Sequence, residues 1–186
     1  MRQDDLTAVA AAAGTIRPAG SQRDMESARA LFVEYAQSIE VDLCFQDFER
    51  ELATLPGAYA PPHGRLLLAA APDAIFGCIA LRPLASGCGC GSAPVEPSQT
   101  GEVKRLYVQP ARRGEGWGER LARELLDEAR AIGYRQLKLD TLGWMTAARA
   151  LYARLGFHEC APYYDNPLAG VVYMSLDLAR RGGKAP

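Results

Sequence analysis

Three glycines at alternate positions, Gly114, Gly116 and Gly118, stand between a run of β-forming residues and an amphipathic helix. Glycine permits positive φ and lets another molecule approach the main chain closely. Val103, Leu106, Tyr107 and Val108 precede the glycines, and Pro110 ends their run. From Glu119 the spacing turns helical, with Leu121, Ala122, Leu125 and Ala129 on one face. A bare turn that opens a helix presents unpaired N–H groups at the positive end of the helix dipole. The chemistry such a turn serves is the binding of phosphate.

Two common phosphate fingerprints fail here. The dinucleotide pattern G-x-G-x-x-G requires a third glycine where Glu119 stands, and the Gly-Lys-Ser/Thr of a P-loop is absent. The chain also lacks the repeated strand–helix–parallel strand units of a nicotinamide-binding domain. What is present is Arg113-Gly114-Glu115-Gly116-Trp117-Gly118, or R-x-x-G-x-G, directly after a strand and before a helix. Downstream, Ala148 to Phe157 reads A-R-A-L-Y-A-R-L-G-F. The first segment resembles the pyrophosphate loop of the GCN5-related N-acetyltransferase (GNAT) family, and the second resembles its A-x-x-L-Y-x-x-x-G-F motif. The resemblance covers about residues 15 to 178 and is strongest from 101 to 158.

The resemblance implies an α/β domain of the GNAT (acyl-CoA N-acyltransferase) fold, a mixed, mostly antiparallel sheet with helices on both faces. It implies acetyl-CoA as cosubstrate and no metal. In the family, main-chain N–H groups of the loop hold the pyrophosphate, which carries over to Arg113, Gly114, Glu115, Gly116, Trp117 and Gly118. Arg113 and Arg112 can add positive charge, although an arginine there is equally a solvated surface group. Glu115 is expected to point to solvent. The pantetheine arm of family members lies beside the end of the preceding strand, here Leu106, Tyr107 and Val108. The carbonyl of Leu106 or a neighbouring N–H then orients the thioester. Family members often carry asparagine three residues before the first alanine of the second motif, and here Met145 stands there.

Acetyl transfer to an amine needs two proton movements: the amine must be neutral to attack, and the departing thiolate must be protonated. Glu102 occupies the strand position at which histone-type members place their glutamate base. The other reading is a carboxylate paired with Lys104 or Arg105, since residues two apart on a strand share a face. Such pairing would lower its pKa and weaken it as a base. Tyr152 matches the family tyrosine whose hydroxyl reaches the coenzyme A sulfur, and a phenol is protonated at neutral pH and can donate. The plain alternative is a core tyrosine, because Ala148, Leu151, Tyr152 and Leu155 share a helical face. For the acceptor, the sequence offers the Glu40–Phe45 segment, the run from Pro162 to Pro167 with Tyr163, Tyr164, Asp165 and Asn166, and the cations Arg82 and Lys104. His63 and His158 stand isolated.

Around these residues the patterning predicts a strand at Thr15–Arg17, helices at Asp24–Ile39 and about Phe45–Leu55, and a hairpin of Leu66–Ala70 with Ala74–Leu81. A Gly/Ser/Pro/Cys-rich loop over 84–100 leads into the central strand, the glycine turn and a helix to Ile132 that Gly133 stops. A strand over Gln136–Thr141, a helix over Thr146–Leu155, a short strand at Phe157–Cys160 and a last strand at Val171–Leu178 follow. Residues 1–14 and 179–186 read as loose tails around one domain at 15–178.

At 186 residues the chain suits one domain with a real core. A net charge of −1 argues against nucleic acid and membrane surfaces as partners. There is no bilayer-length apolar run, and Asp4 and Asp5 precede the alanine-rich start, unlike a secretory signal. A cytoplasmic protein is expected. Five scattered cysteines do not make a disulfide framework, and Cys88-Gly89-Cys90 alone falls short of a zinc pattern. The resulting expectation is an N-acetyltransferase acting on a primary amine of a small molecule or amino acid, by direct attack in a ternary complex. A non-catalytic acyl-CoA-binding module of the same fold, or an enzyme acetylating protein N-termini or lysines, are the alternatives. Whether two chains form a homodimer is left open.

Overall fold

The structure is a computed structural model, and it describes residues 14–39, 47–84 and 99–178. Cys44, Cys88, Cys90, the Glu40–Phe45 segment, most of the 84–100 loop and nearly all of both expected tails lie outside the described residues. The strands are β1 (Thr15–Pro18), β2 (Arg65–Ala70), β3 (Ile75–Pro83), β4 (Thr100–Val108), β5 (Gln136–Leu142), β6 (His158–Glu159) and β7 (Val171–Asp177). The helices are α1 (Gln22–Ile39), α2 (Phe48–Thr54), α3 (Trp117–Ile132) and α4 (Thr146–Arg154). Their order along the chain is the one the patterning predicts.

Seven strands form one sheet in the order β1-β2-β3-β4-β5-β7-β6. The β4–β5 pair is parallel and every other neighbour antiparallel, so the sheet is mixed and mostly antiparallel. Helix α3 puts Leu121, Leu125 and Ala129 against Leu67, Ile79, Leu137 and Leu139 on one face. Helix α1 puts Ala28, Leu31 and Phe32 against Leu66, Leu68 and Cys78 on the other. Full burial of one such leucine contributes roughly 1.5–3 kcal/mol, so the two clusters dominate the fold's stability. Among the described residues no helix is long and apolar enough to cross a membrane.

Helix α1 starts at Gln22, two residues before the expected start at Asp24, because a polar device sets its start. Asp24 N–H donates to Ser21 Oγ at 3.1 Å, and Asp24 Oδ2 accepts from Ser21 N–H at 3.0 Å. This reciprocal capping box satisfies orphan donors of the first turn. Arg17 of β1 adds contacts to Asp24 at 2.9 and 2.6 Å, which fastens the helix to the sheet edge.

Two irregularities shape the middle of the sheet. The β4–β5 pairing covers only Thr100↔Gln136, Gly101↔Leu137 and Glu102↔Lys138. From Leu139 onward β5 pairs with β7 alone, so a gap opens beside the second half of β4. On its other side β4 carries a bulge. Cys78 pairs with Tyr107 and Ala80 with Lys104, leaving Arg105 and Leu106 opposite the single residue Ile79. Arg105 sits at φ 58°, a left-handed conformation inside a strand. The extra residue reverses the alternation, so Leu106 and Val108 join Val103 on the α3 face while Tyr107 turns to the α1 face.

Candidate active site

The glycine turn lies at the outer end of the gap. A short helical turn at Pro110–Arg112 follows β4, and α3 begins at Trp117, so Trp117 and Gly118 belong to the first turn of the helix. Gly116 occupies the N-cap at φ 81° with no side-chain cap, which leaves the first-turn amides pointing outward. Gly114 also has positive φ, and a Cβ at either glycine would meet nothing within 4 Å. The space in front of the helix mouth is therefore open, and its donors and dipole suit a diphosphate.

The charged side chains of the turn are engaged inside it. Glu115 is exposed, as expected, yet it is also engaged within the turn. It folds back, accepting from Trp117 Nε1 at 3.0 Å and lying 3.1 Å from Arg112 Nε. This keeps a negative charge neutralised beside the mouth. Arg112 lies over Phe76, 4.3 Å from the ring centroid, so it braces the turn. Arg113 donates from Nε to the Val108 carbonyl at 3.0 Å and lies over the Tyr107 ring. The Trp117 indole is core, edge-on to Phe76 at 5.0 Å, so only its main chain faces the mouth.

A groove of about 390 Å³ runs inward from Arg113 along Leu106, Tyr107 and Val108, with Met145 and Ala148 of the opposite wall. It continues into a smaller cavity in the gap, lined by Tyr35, Lys104, Leu106, Asp140 and Tyr152. Tyr152 stacks edge-on with Phe157 at 5.5 Å, yet its hydroxyl bonds to none of the described residues. Burial raises its pKa well above the ordinary phenol value, so it stays a proton donor at neutral pH.

Beside this cavity lies a polar cluster. Glu102, only 2% exposed, accepts at Oε2 from Arg82 Nε and lies 2.7 Å from Arg82 Nη2. Its Oε1 accepts from the Tyr163 hydroxyl at 3.0 Å, and Lys104 Nζ is 3.7 Å away. The alternative pairing with Lys104 is thus present, but the shorter contact is to Arg82 across the β3–β4 ladder, where the two residues are register partners, and Arg105 takes no part. Lys104 bonds Asp140 at 2.9 Å, and Arg105 bonds Glu51. Burial by itself would raise Asp140, but the Lys104 ammonium and the Tyr164 hydroxyl hold it below its ordinary value.

The loop from Pro162 to Pro167 closes over this cluster. Tyr163 serves Glu102 and Tyr164 serves Asp140, at 2.9 Å, while Asn166 Nδ2 bonds the Tyr164 oxygen at 2.7 Å. Tyr163, Tyr164 and Tyr173 pack against one another with centroids 5.2 to 5.7 Å apart. His63 contributes only its carbonyl, to Tyr134, and His158 is exposed on β6; neither enters the site. Sequence reasoning missed Asp140, Tyr35 and Glu51. For Asp140 a signal exists, a lone carboxylate at the end of the alternating run Leu137-Lys138-Leu139.

A family model described as the Acetyltransferase (GNAT) family matches residues 25–157, most of the chain. The chain belongs to the GNAT family. This GNAT protein is 37% identical over 159 residues to an uncharacterized N-acetyltransferase of Schizosaccharomyces pombe, a match covering 85% of this chain and 91% of that one. It is 34% identical over 128 residues to a protein named IAA acetyltransferase from Azospirillum brasilense, covering 67% and 82% of the two chains. Among solved structures, a GNAT acetyltransferase from Staphylococcus aureus superposes with a TM-score of 0.70 at 18% identity, over 89% of this chain and 99% of the other. Salmonella typhimurium yncA, solved with acetyl-CoA, gives 0.62 at 21% identity, over 93% and 98%. At these identities the two structures speak to the fold, which is the GNAT fold.

Proposed function

We propose that this GNAT protein is an enzyme that moves the acetyl group of acetyl-CoA to a primary amine of a small molecule or amino acid, by direct attack in a ternary complex. The observation that carries the reading is the parting of β4 from β5 after Glu102 and Lys138, with a bare helix mouth at one end of the gap and, at the other, the Tyr152 hydroxyl, which has no partner among the described residues. Family membership, and acetyl-CoA in a neighbour of the same fold, support the donor.

In this reading the amides of Gly114 to Gly118 hold the pyrophosphate, and Leu106, Tyr107 and Val108 line the pantetheine. The Leu106 N–H donates to the thioester carbonyl oxygen and stabilises the oxyanion that forms as the amine nitrogen bonds to carbon. The ammonium form of the acceptor first loses a proton to Glu102 through the Tyr163 hydroxyl, and Glu102 passes it to water. As the C–S bond breaks, Tyr152 gives its proton to the leaving sulfur. The attacking nitrogen, still carrying one proton too many, restores it to Tyr152 through water. The products are the amide and free coenzyme A.

The direct test is thiol release from acetyl-CoA with a panel of primary amines, alongside calorimetry with coenzyme A. Release with at least one amine supports the enzyme. Coenzyme A binding with no release from any amine favours the non-catalytic module, and no heat with millimolar coenzyme A sinks both.

A further inference from the structure

The bulge in β4 puts a residue with a Cβ where glycine is at home. At φ 58°, Arg105 crowds its own carbonyl oxygen, and an isolated strand would relax out of that state. The structure holds it there from both ends of the residue. Arg105 Nε and Nη2 reach the two oxygens of Glu51 at 2.9 and 2.6 Å, a forked ion pair buried under α2. The guanidinium also lies 5.0 Å from the Phe48 ring centroid, and Glu51 accepts a further bond from the Tyr59 hydroxyl at 2.7 Å. On the backbone side, the Cys78 thiol donates to the Arg105 carbonyl at 3.3 Å.

That last contact fixes a direction. In a trans peptide the carbonyl of one residue and the N–H of the next point opposite ways. With the Arg105 oxygen turned toward Cys78 of β3, the Leu106 N–H is turned away from it. Leu106 has no register partner on β3, and it lines both the groove and the inner cavity.

We infer that Glu51 is a positioning residue for acetyl transfer, acting through Arg105 to hold the 105–106 peptide so that the Leu106 amide faces the reacting carbonyl. The inference rests on the acetyltransferase reading above. It assigns a role to α2, an element that supplies no residue to the groove or to the inner cavity, and it reaches across 54 positions of sequence.

The test compares Arg105→Gly with Arg105→Ala in the full chain, using acetyl-CoA and the best amine of the panel. Both variants remove the guanidinium and free Glu51. They differ in whether the backbone accepts positive φ without penalty. Arg105→Ala is expected to have a kcat at least about fivefold below Arg105→Gly, with coenzyme A Kd in both within about twofold of wild type. A merely structural side chain predicts the reverse order, because alanine suits a strand better than glycine. Equal rates, or a faster Ala variant, overturn the inference. Glu51→Gln is the second arm. It should lower kcat by about tenfold in the wild-type background and by less than about twofold in the Arg105→Gly background, where no clamp remains to lose. Equal losses in both backgrounds overturn the action through Arg105.

If the wild-type protein binds coenzyme A but releases no thiol with any amine, the acetyltransferase reading fails instead. The melting temperatures of the two Arg105 variants then judge the clamp alone. Gly above Ala supports it, and Ala above Gly overturns it.

Discussion

Lys104 and Asp140 face each other one pleat beyond the last paired residues of β4 and β5, with Nζ 2.9 Å from Oδ1. The ion pair therefore spans the gap at its narrow end, where no ladder hydrogen bonds remain. Both side chains are largely buried, so neither charge is solvated without the other. Asp140→Asn should destabilise the protein by about 3 kcal/mol, because it takes the nearest carboxylate from a buried ammonium and leaves it only Glu102, 3.7 Å away. Replacing both residues, with Lys104→Met and Asp140→Leu, should return most of that stability. Urea denaturation midpoints at pH 7 check both; a single variant as stable as wild type would show that the pair is solvated.

Acid should loosen the ion pairs of the fold. The carboxyls of Asp24, Glu51 and Asp140 are all held below their ordinary values. For Asp24 the Arg17 guanidinium is the main cause; for Glu51 and Asp140, Arg105 and Lys104 overcome the opposing effect of burial. A folded-state pKa below the unfolded one gives stability that is present above the unfolded value, near pH 4, and lost as pH falls through the folded value. The melting temperature should stay flat from about pH 7 to 5 and drop below about pH 4.5. Asp24→Asn should flatten part of that drop while lowering stability at pH 7 by about 1–3 kcal/mol, the worth of its charged bonds.

Tyr152→Phe separates chemistry from packing. The hydroxyl has no partner among the described residues, and the ring keeps its contact with Phe157. The variant should melt within about 2 °C of wild type, because no hydrogen bond is lost. Its kcat should fall by about 10²-fold, within the usual range for a general acid, with coenzyme A Kd unchanged. Full activity would remove the phenol from the mechanism.

Glu102→Gln distinguishes a proton acceptor from a brace for Arg82. As acceptor, Glu102 must be ionised, so the wild-type rate should fall on the acid side and the Gln variant should lack that limb while being at least about 10²-fold slower. An unchanged pH profile with lowered stability would leave Glu102 as the partner of Arg82 alone.

At the helix mouth, Gly116→Val should weaken coenzyme A binding by at least about tenfold, since a branched side chain at φ 81° strains the N-cap and stands before the open donors. Trp144 offers a readout. It is 61% exposed on the groove wall, whereas the other tryptophan, Trp117, is buried. Coenzyme A should therefore change the emission of Trp144, and Trp144→Phe should silence the signal while leaving a calorimetric heat.

Local patterns carried a great deal here. The glycines 114, 116 and 118 between a β-run and an amphipathic helix told of an open helix mouth, because such a mouth is built from consecutive residues. Tyr152 was legible for the same reason, inside a ten-residue motif. The order of strands and helices followed from apolar periodicity, which the two core clusters respect on both faces of the sheet.

Partnership across the sheet was another matter. Glu102 meets Arg82 through a ladder whose register depends on a bulge, and Arg105 meets Glu51 from a helix packed under it. Glu115, though exposed, finds Arg112 and Trp117 as partners only once the turn is folded. The sequence by itself determined the elements, the glycine turn that opens α3 and the place of Tyr152 in its motif, since each depends on neighbours in the chain. The tertiary structure alone decided which charge neutralises which and where β4 leaves β5, because those energies depend on distances that only packing sets.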